Sequence, residues 1–193
     1  QLNFVKNTDI GLDKTNLLLT DYPYWSEDSR SKFQVLKNKL LENPDISGLI
    51  NFYTIPGLRF DAQLSISLKE DSKQNEMMIS AISVDYDFIP MMKINILAGR
   101  NFSREYSTDS SNTVIINKTA AKMLGLKDPV GATVYTKGMG AAREAKIIGV
   151  VSDFNFESLR NKIVPCILYV NPFMPGDIAI KVRNPKETLK FVK

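Results

Sequence analysis

Carboxylates are the side chains best placed for acid–base chemistry in this chain, because the usual proton carrier is missing. The sequence contains no histidine, which removes the commonest general base and the commonest transition-metal ligand together. Asp153 and Glu157 flank Phe154-Asn155-Phe156 just after an apolar run, where loops often hold functional groups. As a pair they would suit a carboxylate-dependent hydrolase. Asp85 and Asp87 stand two apart, so on a helix they would not share a face. Each reads better as a helix cap. Cys166 is the only cysteine, which excludes an internal disulfide and any multi-cysteine metal site. Within Val164-Pro165-Cys166-Ile167-Leu168-Tyr169-Val170 it reads as a small buried hydrophobe.

Other constellations are weaker. Gly138-Met139-Gly140 lacks the Lys-Ser/Thr of a phosphate loop and the third glycine of a dinucleotide fingerprint. Gly99-Arg100-Asn101 offers a cation and backbone amides, yet reads as a turn with a surface arginine. The polar run Glu70-Asp71-Ser72-Lys73-Gln74-Asn75 lacks the spacing and glycine of a calcium loop, so it reads as a solvated turn. Ser103, Ser107, Ser110 and Ser111 have no nucleophile-elbow context. Net charge is +4, but the lysines and arginines are scattered. A nucleic-acid binder would gather them in a patch, so nucleic acid is not expected as a partner.

The elements that would position these groups follow from periodicity. Leu17–Thr20 is a short apolar run and predicts a buried strand. Ser26 predicts a helix N-cap, followed by an apolar stripe at Phe33, Leu36 and Leu40 and a stop at Asn43-Pro44. Ile46–Ile55 predicts the next strand, giving a strand–helix–strand crossover. Alternation from Phe60 to Lys69 and the return from Met77 to Val84 predict a hairpin. A short helix is expected over Asp85–Met92. A strand over Thr113–Ile116 leads into a helix capped by Asn117 and stopped by Gly125. Val130–Thr136 and Glu144–Ser152 predict a second hairpin around the glycine turn. Strands near Pro165–Val170 and Asp177–Val182 precede a terminal helix after Asn184-Pro185.

At 193 residues, with 44% apolar and 24% charged residues, the chain can bury a sizeable core. No stretch approaches the roughly 18 continuous apolar residues of a membrane span. Gln1-Leu2-Asn3 has no signal-peptide character, and the absence of an initial Met together with the ending Leu189-Lys190-Phe191-Val192-Lys193 gives the expectation of a piece of a longer protein. Loops near 55–60 and 153–165 suggest two lobes: an outer one from 1–58 and 160–193, and an inserted one from 59–159.

Five short signatures occur in order. They are Val84-Asp85-Tyr86-Asp87-Phe88, Leu97-Ala98-Gly99-Arg100-Asn101-Phe102, Val114-Ile115-Ile116-Asn117, Gly125 to Gly131, and Ile147-Ile148-Gly149-Val150-Val151-Ser152-Asp153-Phe154 with Pro165. Their order and spacing resemble the extracytoplasmic core domain of MacB/FtsX-type ABC-transporter permeases. Gln1 to Asn7, Gly11-Leu12-Asp13-Lys14 and Asn16-Leu17-Leu18-Leu19 also resemble that family's entry segment, as it opens the second extracytoplasmic domain of duplicated Bacteroidetes-type permeases. One departure is Asn155, where relatives often carry histidine.

The resemblance implies an α+β, two-lobed domain in the periplasm, with no catalytic, metal or cofactor-binding residue of its own. ATP would sit on a separate cytoplasmic ABC ATPase subunit. Other implied partners are the permease's own transmembrane helices, a second permease copy, and a periplasmic adaptor or lipoprotein. The implied role is to couple ATP-driven motion to a substrate or partner in efflux, lipoprotein release or cell-envelope regulation. A periplasmic ligand-sensing module of a signalling receptor is the alternative. Expected contact residues are exposed loop groups: Asp71, Lys73 and Asn75 at one hairpin tip, Lys137 and Met139 at the other, and Phe154, Asn155, Phe156 and Glu157.

Overall fold

The structure, a computed structural model, describes residues 11–13, 15–20, 29–52, 63–70, 76–137, 144–155, 162–170 and 177–183. Ten strands appear among them: β1 (Leu17–Thr20), β2 (Ile46–Phe52), β3 (Gln63–Ser67), β4 (Met77–Val84), β5 (Ile96–Gly99), β6 (Thr113–Asn117), β7 (Thr133–Lys137), β8 (Glu144–Val151), β9 (Cys166–Val170) and β10 (Asp177–Val182). Helix α1 spans Ser29–Leu41, α2 Phe88–Met91 and α3 Lys118–Met123, with one 3₁₀ turn at Ser107–Ser110. The chain is therefore α+β, as the resemblance implies.

Six strands close a ring. β3 pairs with β4 and β7, β7 with β8, β8 with β6, β6 with β9, and β9 returns parallel to β4. Closure leaves no open edge within the ring. The pairing also sets which side chains point inward. Leu64 faces Ile79, Val134 faces Ala145, Val114 faces Ile147, Ile116 faces Ile167, and Ile167 faces Ala81. Together they form one buried apolar cluster, and α3 adds Ala120, Ala121 and Leu124 to it at one mouth. β9, grouped with the chain ends in the two-lobe division of the sequence, is the strand that closes this barrel.

A second cluster covers the outer wall made by β4, β9, β6 and β8. Ile82, Val84, Ile115, Ile148, Cys166, Leu168 and Val170 supply the wall, and Leu12, Phe88, Met92, Phe102 and Phe154 cover it. The strands of this wall are buried on both faces, which explains their near-continuous apolar runs. β3 and β7 face water on their outer side, so they alternate.

Three of the four remaining strands make a wing. β10 lies between β1 and β2, antiparallel to both. β1 and β2 thus run parallel, and α1 between them forms a split crossover. β1 is not buried as its apolar run suggested: Leu17 and Leu18 are half-buried, and Leu19 is exposed. Among the described residues it is the outer edge of the sheet, with one of its sides paired. Strand β5, absent from the sequence reading, lies along β8 beyond the point where β7 leaves it. The glycine turn at 138–140, the terminal helix after Asn184-Pro185 and the Ser26 cap lie outside the described residues, while the β7–β8 pairing of the second hairpin is present.

Candidate functional site: charged junctions between wing and barrel

The wing meets the barrel sheet through one rung among the described residues, Phe52 opposite Val84, with the Asp85 N–H donating to the Asn51 carbonyl at 3.1 Å. Charged side chains gather immediately beyond it. Asp85 and Asp87 follow the end of β4, where the backbone leaves the strand without yet turning into helix, so both carboxylates reach the same place. Lys37 Nζ comes from α1 and donates to Asp85 Oδ2 at 3.0 Å and Asp87 Oδ2 at 2.6 Å. Arg104 approaches from the other side, at 3.0 Å from Asp85 Oδ1 and 3.1 Å from Asp87 Oδ2, with its guanidinium over the Tyr86 ring. The side chains of Lys37 and Asp85 are about nine-tenths buried, at 8% and 10% exposure.

Neither aspartate is a cap. Asp87 holds the N-cap position of α2 but makes no side-chain cap bond. The attraction of two cations outweighs a cap bond to a four-residue helix. Burial pushes the Asp87 carboxyl up, but the bonds from Lys37 and then Arg104 prevail and hold it below the usual carboxylate range.

Asp13 repeats the pattern. Its carboxylate takes Lys93 Nζ at 2.8 Å and Lys181 Nζ at 3.1 Å, and its Oδ1 accepts the Thr15 N–H at 3.0 Å. Burial alone would raise this carboxyl; the lysines and Thr15 hold it far below the ordinary range instead. Lys93, at φ +52°, follows α2, whereas Lys181 lies on β10.

A third pair is internal to the barrel side. Arg100 grips the fully buried Asp109 with both guanidinium nitrogens, at 2.5 and 2.9 Å, and its guanidinium stacks on Tyr106. Asp109 also accepts the Ser103 N–H at 2.9 Å. Burial pushes Asp109 up, yet Arg100 and Ser103 keep it below the usual range.

The remaining signature residues are joints. Asn117, wholly buried, accepts N–H bonds from Ala120 at 2.8 Å and Cys166 at 3.0 Å, and its Nδ2 donates to the Val164 carbonyl at 3.0 Å. One side chain therefore caps α3 and ties β9 into the ring. Asp153 is drawn to the same helix start: Oδ1 accepts the Thr119 N–H at 2.8 Å and Oδ2 the Thr119 hydroxyl at 2.9 Å. With both oxygens engaged, Asp153 is held as a structural acceptor. Gly99, at φ +72°, lets β5 approach β8 where a Cβ would strike the Ile148 carbonyl; at Gly149 a Cβ would lie 2.5 Å from the Arg100 carbonyl oxygen. The signatures thus mark close backbone approaches and caps in a particular barrel.

That pattern extends over most of the chain, and a family model for the MacB-like periplasmic core domain matches residues 12–186. The chain belongs to that family. A search of the curated proteins finds no match. Among solved structures it is similar to the periplasmic region of MacB from Actinobacillus actinomycetemcomitans, with TM-score 0.63, 15% identity, and coverage of 94% of this chain and 82% of that one. It is also similar to the extracellular domain of the noncanonic ABC-type transporter YknZ from Gram-positive bacteria, with TM-score 0.58, 13% identity, and coverage of 90% and 86%. At such identities these likenesses show the fold. Family membership places the MacB-like domain outside the cytoplasm, as part of an ABC-transporter permease that works with membrane helices and an ATPase. Among the described residues no helix is long and apolar enough to cross a membrane.

The expected contact residues of the MacB-like domain divide sharply. Asp71, Lys73, Asn75, Met139, Phe156 and Glu157 lie outside the described residues. Lys137 is exposed at the end of β7 and pairs with Glu76 at 2.5 Å. Asn155 is half-buried. Phe154 is a correction: at 1% exposure it is core, because Gly11 and the outer wall of the barrel close over it. Cys166 is buried as expected, and burial pushes its thiol up. Among the described residues no cluster of His, Cys, Asp or Glu is arranged to hold a metal ion. What the sequence missed was the convergence of Lys37, Asp85, Asp87 and Arg104. Two signals were available: Lys37 interrupts the inward stripe of α1 one turn after Phe33, and two aspartates two apart in extended chain fall on one side.

Proposed function

We propose that this MacB-like domain is a mechanical coupler, passing ATP-driven movement of the permease to a substrate or partner in the periplasm. One observation carries this reading. β1 and β10 are ladder neighbours, with Leu17 opposite Lys181 and Thr20 opposite Ile178. The ladder continues outward as the Val182 N–H donates to the Asn16 carbonyl at 2.9 Å, and Asn16 Nδ2 reaches the Arg183 carbonyl. The chain therefore enters and leaves the wing side by side. A displacement of membrane helices attached there would move the wing as a unit. We read the molecule as two working parts, the wing of β1, α1, β2 and β10 and the barrel of the middle of the chain. Lys137 and Asn155, together with positions 71–75 and 138–140 of the sequence, are the proposed contact sites.

The test is uncoupling. In the intact permease reconstituted with its ATPase, Leu18→Pro removes a ladder N–H at the β1–β10 pair. Basal ATP hydrolysis is expected to persist while transport or release output falls at least tenfold. Unchanged output, with the β1–β10 amides shown to exchange freely, would overturn the reading.

A further inference from the structure

We infer that strand β5 is a bilayer contact: its apolar edge, Ile96-Leu97-Ala98-Gly99, lies against the membrane surface, and the neighbouring group of Asp13, Lys93 and Lys181 meets acidic lipid headgroups. This rests on the coupling reading above, which attaches membrane helices where β1 begins and β10 ends.

β5 is the anomaly of the described surface. None of its four residues is polar and all are exposed, Ile96 at 40% and Leu97 at 54%. A consecutive exposed apolar run is a liability unless it serves a contact. The strand is nonetheless held firmly. Ile96, Ala98 and Gly99 are in register with Val151, Val150 and Gly149 of β8. The Arg100 N–H donates to the Ile148 carbonyl at 3.0 Å, and the Arg100 guanidinium grips buried Asp109. Among the described residues no strand pairs with the outer edge of β5. Its apolar side chains are thus presented to the outside from a fixed backbone.

The shape and size of the patch select its occupant. An added strand would pair along the edge, but the register of β5 shifts between Ile96 and Ala98. A bulge of that kind spoils edge pairing. A free protein partner needs roughly 20–30 residues a side for a stable interface, and β5 offers four. A bilayer needs neither a regular edge nor a large footprint. The domain is already tethered to it, so a weak apolar contact is strengthened by its high effective concentration.

Placement and charge agree with this. The Asp13 N–H donates to the Met92 carbonyl at 2.8 Å, which sets the entering chain beside the lead-in to β5. Extended chain covers at most about 14 Å from Met92 to Ile96, and at most about 10 Å from Asp13 to Asn16. Lys181, near the end of β10, meets the same Asp13 carboxylate at 3.1 Å. β5 therefore lies close to where the wing ladder starts and finishes. Two lysines on one carboxylate leave a net positive charge there, and Lys93 is 74% exposed. Long lysine stems beside apolar side chains suit the headgroup region of an acidic bilayer.

Quenchers carried by the lipid test the contact. The intact permease with its ATPase is placed in nanodiscs of phosphatidylglycerol and phosphatidylcholine, and a bimane is attached at Ala98→Cys. Ile96 and Leu97 then stay in place, and the native Cys166 is buried. Doxyl groups on the lipid should remove about half of the bimane emission. A bimane at Thr108→Cys should keep its emission, because Thr108 is exposed before β6, whose other end is level with Ile96 through Val151. Ile96→Ser with Leu97→Ser should restore the Ala98→Cys signal, and nanodiscs of phosphatidylcholine alone should weaken the quenching. If the double serine variant loses its far-ultraviolet dichroism, Leu97→Gln carries the test instead. Equal quenching at both positions, none at Ala98→Cys, or no dependence on phosphatidylglycerol overturns the proposal. A disulfide joining Ala98→Cys of two permease copies also overturns it, since a second copy would then cover the strand. If the label is quenched as expected while Leu18→Pro leaves output unchanged, the bilayer contact stands and the coupling reading falls.

Discussion

Barrel and wing are made of the same kinds of strand and share an apolar cluster, yet charge contributes differently to each. The barrel is closed, packed on its inner side by side chains from all six strands, and locked by Asn117 and by close approaches at Gly99 and Gly149. The wing meets its neighbour through Ile50 and Ala179 in the shared outer cluster and, among the described residues, through one rung and charged side chains. Apolar packing is non-directional and resists every displacement; ion pairs across a seam depend on geometry and on which partners remain. The barrel therefore holds its shape by packing and backbone closure, while the seating of the wing adds charge to packing.

The sharpest way to break this contrast is at the barrel joint. Asn117→Ala leaves two N–H donors and one carbonyl buried without partners and is expected to lower stability by about 4 kcal/mol, read as the urea midpoint. A loss under ~1 kcal/mol would show that closure does not depend on that side chain. Gly99→Ala forces a Cβ into left-handed backbone against a carbonyl and should lower stability by about 2 kcal/mol, the same change at the open Gly125 less. Lys37→Met should cost roughly 1 to 2 kcal/mol because Arg104 still covers the carboxylates. Its effect on hydrogen exchange should be confined to α1 and the wing, and uniform loss across the barrel would erase the distinction.

Acidity tests the charged seam as a set. Asp13, Asp87 and Asp109 have carboxyls held below their unfolded values. Their contribution is thus fully present above the unfolded value of about 4 and is lost as pH falls through the folded ones. With no histidine in the chain, the urea midpoint should vary little from about pH 5 to 8 and fall below about pH 4. The smallest effect belongs to Lys137–Glu76, on the barrel's wet wall, where either alanine variant should change stability by less than ~0.5 kcal/mol.

Local structure was legible in the sequence and long-range structure was not. The β3–β4 and β7–β8 hairpins, the Asn117 cap and the left-handed Gly125 each depend on residues a few positions apart. Barrel closure depends on β9 finding β4, and nothing in either strand names the other. Leu17–Leu19 read as buried because an apolar run looks alike at a sheet's centre and edge. At the site, the aspartates were visible but their partners were not: Lys37 lies 48 positions from Asp85, and the pull of a distant cation overrode the local capping preference. Phe154 misled for the opposite reason, since a loop position suggested exposure that packing removed.

Ring closure by β9 also sets a timetable. β4 ends at Val84 and its parallel partner begins at Cys166, so 166 − 84 leaves 82 positions to be made before the two can meet. During synthesis and export the flank of β4 that β9 will cover stays bare while the intervening segments arrive. Non-local parallel pairing of this kind is slow and leaves strand edges open to other chains. The stage most in need of protection is thus late, after β8 has been made and before β9 has.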